Sequence, residues 1–196
     1  MSRPHTLYEK YYFSIPRKLW HLKHKEEWYV ETNYHLFAAI PLIRDAFPDA
    51  LVFHIVRDGR DVVTSWLNRN RYITNDHMTP FHIPGDPAQA LWAGWNPLQK
   101  LAWYWKTVNN HAQAQNPDMT IKFEELFKTN KALIFDILAK FDGLVYDEEK
   151  VRASLEQKVN RNRLEFYPKY AEWPQHWKDQ FWEIAGETME RFGYAR

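Results

Sequence analysis

Cysteine is absent from the 196 residues, which removes disulfides and thiolate metal ligands and fits a reducing compartment, the cytoplasm being the expected one. An excess charge is missing too. With 26 Lys and Arg against 25 Asp and Glu, no long-range field draws the chain to nucleic acid or to an anionic membrane surface. Any anion site must therefore be local. Glycine is scarce: the six residues at 59, 85, 94, 143, 186 and 193 include no pair spaced as in G-x-x-x-x-G-K. Mean hydropathy is -0.65 and no membrane span is expected. The first thirty residues mix Arg3, His5, Lys10, Arg17 and Lys18 with aromatics, unlike the apolar centre of a signal peptide. Repeats and low-complexity tracts are also lacking. One soluble domain over 1–196 is expected, opening with an atypical aromatic and basic segment, 1–27.

What the chain has in plenty is aromatic rings, 17% of residues with ten Trp and eleven Tyr. Rings fill cores or stack on sugars and bases, and packing is the commoner use. Trp66, Trp92, Trp95, Trp103 and Trp105 either pack helices or line a cleft. Trp28 to Glu31 reads as a short strand, and Leu36, Ala39, Ile40, Ile43 and Phe47 follow at helical spacing, with Pro41 near the first turn. Leu51 to Val56 is an apolar, β-branched run of the kind found in a parallel strand covered on both faces. A helix from Asp61 follows, then a long polar stretch from Asn70 to Pro87 that suits a lid. Ala88 to Gln115 is helical in pattern with a break near Pro97, Met119 to Phe123 reads as a strand, and helices are expected over 131–141, 148–157 and 177–192. Alternating strands and helices predict an α/β domain with a parallel sheet.

The chemistry concentrates in Val56-Arg57-Asp58-Gly59-Arg60-Asp61-Val62. Arg57 follows the apolar run directly, so its guanidinium belongs at the carboxyl edge of the sheet, where open α/β folds bind ligands. Asp58 suits the N-cap of the next helix, with Asp61 at the capping-box position. A helix N-terminus and an Arg fork facing one volume favour a phosphate. Ser65 lies four residues after Asp61, on the same side of the helix. The plain alternative is a capped helix with a surface ion pair, contributing at most about 1 kcal/mol. Arg60 suits either a second phosphate contact or a solvated position.

Leu51 to Trp66, LVFHIVRDGRDVVTSW, resembles the strand, turn and helix that hold the 3′-phosphate of 3′-phosphoadenosine-5′-phosphosulfate in sulfotransferases. In that family an Arg after the strand and a Ser eight positions later bind the phosphate, and Arg57 and Ser65 occupy those places. Phe47 to Ala50, Ile121 to Leu126 and Met189 to Tyr194 are similar to the family's approach to this strand, its later strand with a short acidic helix, and its closing helix. The likeness runs from about Trp28 to the end. It implies a P-loop-nucleoside-triphosphatase-like, three-layer parallel sheet flanked by helices, N-terminally incomplete. It also implies sulfuryl transfer to a hydroxyl or amine of a small-molecule, lipid or glycan acceptor, with no metal required.

The family's glycine-rich loop for the 5′-phosphosulfate has no counterpart here, as the glycine spacing shows. Either the chain is a fragment, or another chain, a second copy or a partner, supplies the loop, or catalysis has been lost. The resemblance makes Glu31 and His35 candidate bases, although Glu31 could equally be a paired or solvated carboxylate and His35 a helix-start residue. Lys158, Arg161 and Arg163 stand where the family often folds a loop over the nucleotide, or form a solvated face. His77 and His82, near Asp76 and Asp86, lack regular metal-ligand spacing. A non-catalytic nucleotide-binding module competes with the enzyme. A nucleic-acid binder is disfavoured by the net charge of +1. A protein kinase is excluded, since no His precedes Arg57 and no Asn stands five after Asp58.

Overall fold

The computed structural model describes residues 30–32, 34–69, 78–157 and 166–196. They form a mixed α/β fold around a small parallel sheet. After a 3-10 turn, Tyr34–Ala38, helix α1 spans Ile40–Ala46 with Pro41 in its first turn, where a missing N–H breaks no helical bond. Strand β1, Phe53–Val56, pairs in parallel with β2, Met119–Lys122, in a register running from Phe53 opposite Met119 to Val56 opposite Lys122. Between them lie α2, Gly59–Leu67, and α3, Pro97–Ala114.

The break expected near Pro97 is the start of α3. Asn96 accepts from the Gln99 amide, and the Gln99 side chain accepts from the Asn96 amide. The residues before it do not continue that helix as expected but form short 3-10 turns, Pro87–Ala90 and Trp92–Gly94, because Pro87, Gly94 and Pro97 interrupt the pattern. Of the stretch read as a lid, residues 70–77 lie outside the described residues. Its remainder includes the turn Pro80–His82, closed by the Thr79 amide donating to His82 Nδ1. A π-helical turn, Glu125–Thr129, follows β2, then α4, Leu133–Leu138, α5, Glu148–Glu156, and α6, Gln175–Arg191. Gly193 ends α6 at φ 72°, a left-handed conformation that glycine adopts without strain.

Two strand expectations are corrected. Val30 and Glu31 have no regular structure, and Val30 is 67% exposed with no strand beside it among the described residues. Trp28 and Tyr29 lie outside them. In β1 the apolar run is shorter than expected and covered unevenly: His54 and Val56 are buried, whereas Ile55 is 46% exposed. Helices cover the face bearing His54 and Val56. On the other face Phe53 packs against Phe141 and the cluster of Ile121, Leu126 and Ile137, while Ile55 stays half-exposed among the described residues.

The main core joins Val56, Val63 and Leu67 to Leu101, Trp103 and Trp105 of α3 and to Phe181, Ala185 and Met189 of α6. Burying one large apolar side chain contributes roughly 1.5 to 3 kcal/mol, so this helix-on-helix seam dominates the packing. A smaller cluster gathers Ile121, Leu126 and Ile137 on the far side of the sheet. Trp92, Trp103 and Trp105 are buried, which is the packing use of the rings. His54 is buried with Nε2 at 3.0 Å from Asn109 Oδ1, so its polar group is satisfied inside the core. Among the described residues no helix is long and apolar enough to cross a membrane.

Candidate functional site

β1 ends at Val56, and Arg57 and Asp58 turn the chain into α2. Asp58 is the N-cap: its carboxylate accepts from the Arg60 amide at 2.9 Å, satisfying one donor of the first helical turn. Asp61 does not close a capping box, contrary to the sequence expectation. The Asp58 amide instead donates to Glu124 Oε1 at 3.2 Å, and Asp61 pairs with Arg57 at 3.0 Å. An aspartate is one methylene shorter than the usual capping-box glutamate, and a guanidinium four residues back offers it a nearer partner.

Three groups fix the turn from behind. Trp105 Nε1–H donates to the Arg57 carbonyl at 3.1 Å. Gly59 lies so close to the same ring that an added Cβ would stand 2.9 Å from Trp105 and 3.0 Å from the Met189 sulfur. Glu124, just beyond β2, holds the Asp58 amide with one oxygen and accepts from the Tyr194 hydroxyl with the other, at 2.7 Å. Burial first, and then the bond to Glu124, push the Tyr194 phenol well above its ordinary range.

Arg57 points out of this frame. Its guanidinium lies 5.0 Å from the centre of the Phe123 ring, with 41% of the side chain exposed. Its Nε is buried and has no hydrogen-bond partner among the described residues. A buried N–H left unpaired costs about 1 to 3 kcal/mol, and such a group asks for an explanation. Asp61 and Ser65 follow Arg57 at intervals of four, and Ser65 is partly buried on α2. Of these three, Arg57 and Asp61 are in direct contact, and Ser65 stands one helical turn further along α2.

Arg60 is half-buried and held by protein groups. It forks onto Asp58 through Nε at 2.9 Å and Nη2 at 2.6 Å, donates to the Ala195 carbonyl at 3.1 Å, and lies 4.9 Å from the Tyr170 ring centre. The hydrogen bond to Asp58 raises its pKa further. Glu31 is exposed in an irregular segment, and His35 lies in the Tyr34–Ala38 turn. Lys158, Arg161 and Arg163 lie outside the described residues, as does His77. His82 Nδ1 accepts from the Thr79 amide, and no group of His, Asp and Glu able to hold a metal occurs among the described residues.

Trp105 was read from sequence only as one of five tryptophans that pack helices or line a cleft, and Glu124 and Tyr194 only as parts of family-like segments, none of them as a support of the turn. Glu124 had a signal: in IKFEEL it directly follows an apolar strand, and parallel strands place their carboxyl ends on one edge, beside Arg57. Trp105 and Tyr194 carried none.

No curated protein and no solved structure matches the chain. A model of the sulfotransferase family matches residues 2–148, beginning earlier than the likeness read from about residue 28 and stopping before α6. The matched span is three quarters of the chain and contains the strand, the Arg57 turn and the helix carrying Ser65, and the chain therefore belongs to the sulfotransferase family.

Proposed function

We propose that the chain binds 3′-phosphoadenosine-5′-phosphosulfate through its 3′-phosphate at Arg57 and Ser65, and serves transfer of the sulfuryl group to a hydroxyl or amine of a small-molecule, lipid or glycan acceptor. The observation that carries this reading is the Arg57 side chain, set at the end of β1 with a buried Nε lacking a partner among the described residues. Phosphate oxygens are the strongest acceptors for such a fork. Binding exchanges the half-exposed Asp61 carboxylate for a doubly charged phosphate, and a half-exposed ion pair gives up only about 0 to 1 kcal/mol.

In the reaction the acceptor oxygen or nitrogen attacks sulfur in line, the bond to the 5′-phosphate oxygen breaks, and 3′-phosphoadenosine-5′-phosphate leaves. Glu31 and His35 are the proposed groups to take the acceptor's proton, and Arg161 and Arg163 the proposed further phosphate contacts. The two strands belong, on this reading, to a P-loop-like three-layer sheet, and the cysteine-free composition supports a cytoplasmic site of action. The glycine spacing favours a second reading, a degenerate, non-catalytic nucleotide-binding module or subunit of such an enzyme.

Calorimetric titration with 3′-phosphoadenosine-5′-phosphate tests the common part of both. The wild type is expected to bind and to melt at higher temperature with the nucleotide, and Arg57→Ala to lose most of that shift, since a charge-assisted contact is worth about 1.5 to 3 kcal/mol. A wild-type melting curve unmoved by millimolar nucleotide would overturn it. Binding without turnover of the phosphosulfate by the isolated chain selects the module.

A further inference from the structure

Glu124 carries a negative charge into the turn that the proposed reading assigns to a phosphate. Left to act as a charge alone, it would oppose the ligand. Its two oxygens are not loose, however. One accepts from the Asp58 amide at 3.2 Å and the other from the Tyr194 hydroxyl at 2.7 Å, and that hydroxyl also lies 3.3 Å from the Val56 carbonyl at the end of β1. Two further bonds tie the same C-terminal stretch to the same edge: Lys122 Nζ donates to the Gly193 carbonyl, and Arg60 donates to the Ala195 carbonyl, both at 3.1 Å. Residues 193–195 thus touch the end of each strand and both sides of the turn.

We infer that Glu124 and Tyr194 form a clamp through which the C-terminal segment positions the turn that projects Arg57, so that affinity for a 3′-phosphorylated nucleotide depends on a hydroxyl that need not touch the ligand. The inference rests on the proposed function. Glu124 sets where the Asp58 amide lies, one residue beyond Arg57. Tyr194 holds the second oxygen, fixing the carboxylate's rotation and keeping its charge bonded to protein donors. Both are positioning residues. Removing the hydroxyl frees Glu124 to swing towards the turn, misplacing the Asp58 amide and adding repulsion where the dianion binds.

The test compares binding of 3′-phosphoadenosine-5′-phosphate with that of adenosine 5′-phosphate, which lacks the 3′-phosphate. Tyr194→Phe is expected to weaken the first about fivefold, the scale of one hydrogen bond, and to leave the second unchanged. Glu124→Ala should weaken the 3′-phosphorylated nucleotide similarly, whereas Glu124→Gln, which keeps an acceptor for the Asp58 amide and can donate to the Tyr194 oxygen, should stay within about twofold of wild type. Adding Glu124→Gln to Tyr194→Phe removes the repulsion but leaves the side chain's rotation unfixed, so only part of the loss should return. Tyr194→Phe with unchanged affinity, or with both nucleotides weakened equally, overturns the inference. So does tighter binding by both Glu124→Ala and Glu124→Gln, which would make Glu124 an opposing charge only. A wild type indifferent to 3′-phosphoadenosine-5′-phosphate overturns the proposed function and the clamp with it. Binding by the wild type beside an unaffected Tyr194→Phe overturns the clamp alone.

Discussion

The indole N–H of Trp105 donates to the carbonyl of Arg57 at 3.1 Å, across 48 residues of sequence. A core residue of α3 thereby sets the backbone from which the Arg57 guanidinium projects. Trp105→Phe keeps a ring but strips the carbonyl of its donor, and a buried polar group left unpaired costs about 1 to 3 kcal/mol. Urea unfolding should show that loss. Nucleotide titration should show weaker binding in the variant that remains folded.

Gly59→Ala is expected to destabilise the protein by about 1 to 3 kcal/mol, because the new methyl would press on the Trp105 ring and the Met189 sulfur. The cause is steric, so the damage should shrink when the ring is made smaller. In a double-mutant cycle Gly59→Ala with Trp105→Phe should cost less than the sum of the two single changes. Strict additivity would show that the contact is not the source of the loss.

Asp61→Asn separates stability from binding. The Arg57–Asp61 pair is exposed by nearly half on each side, so its loss should change stability by less than about 1 kcal/mol. Binding of 3′-phosphoadenosine-5′-phosphate should tighten, since Arg57 no longer has to leave a carboxylate. Weaker binding would instead mean that Asp61 aims the guanidinium.

His111 makes stability depend on pH. Burial lowers its pKa in the folded chain, where the ring meets Phe37 edge-on at 5.4 Å. Unfolded chains therefore take up this proton at a higher pH than folded ones. The contribution is fully present above the unfolded value of about 6.5 and is lost as pH falls from there towards the lower folded pKa. Melting temperature should decline through that window, and His111→Gln should flatten the decline.

The local parts of this architecture were legible because their causes are local. The break read near Pro97 is where α3 starts, and the apolar run ending at Val56 marks β1 and the turn after it. The coverage of β1 was not legible: a continuous apolar run describes a strand but not what lies against each face, and Ile55 is open to solvent. The frame of the turn was hidden for the same reason. Glu124 stands 66 residues from Asp58 and Tyr194 70 residues from Glu124, separations at which no periodicity speaks. Arg60 shows both sides of this: its fork onto Asp58 is local, two residues away, whereas Tyr170 and the Ala195 carbonyl come from the far end of the chain.

The family match ends at residue 148, at the first residue of α5, a helix with no buried residue, yet α6 beyond it places Phe181, Ala185 and Met189 at the centre of the main core. Homology and autonomy therefore part company along this chain. A recombinant piece stopped at 148 would leave the inner surface of α3 wet, with Leu101 and Trp105 facing water, and should emerge as an aggregating, loosely collapsed polypeptide. The segment that the family model matches depends for its solidity on one that lies outside the match.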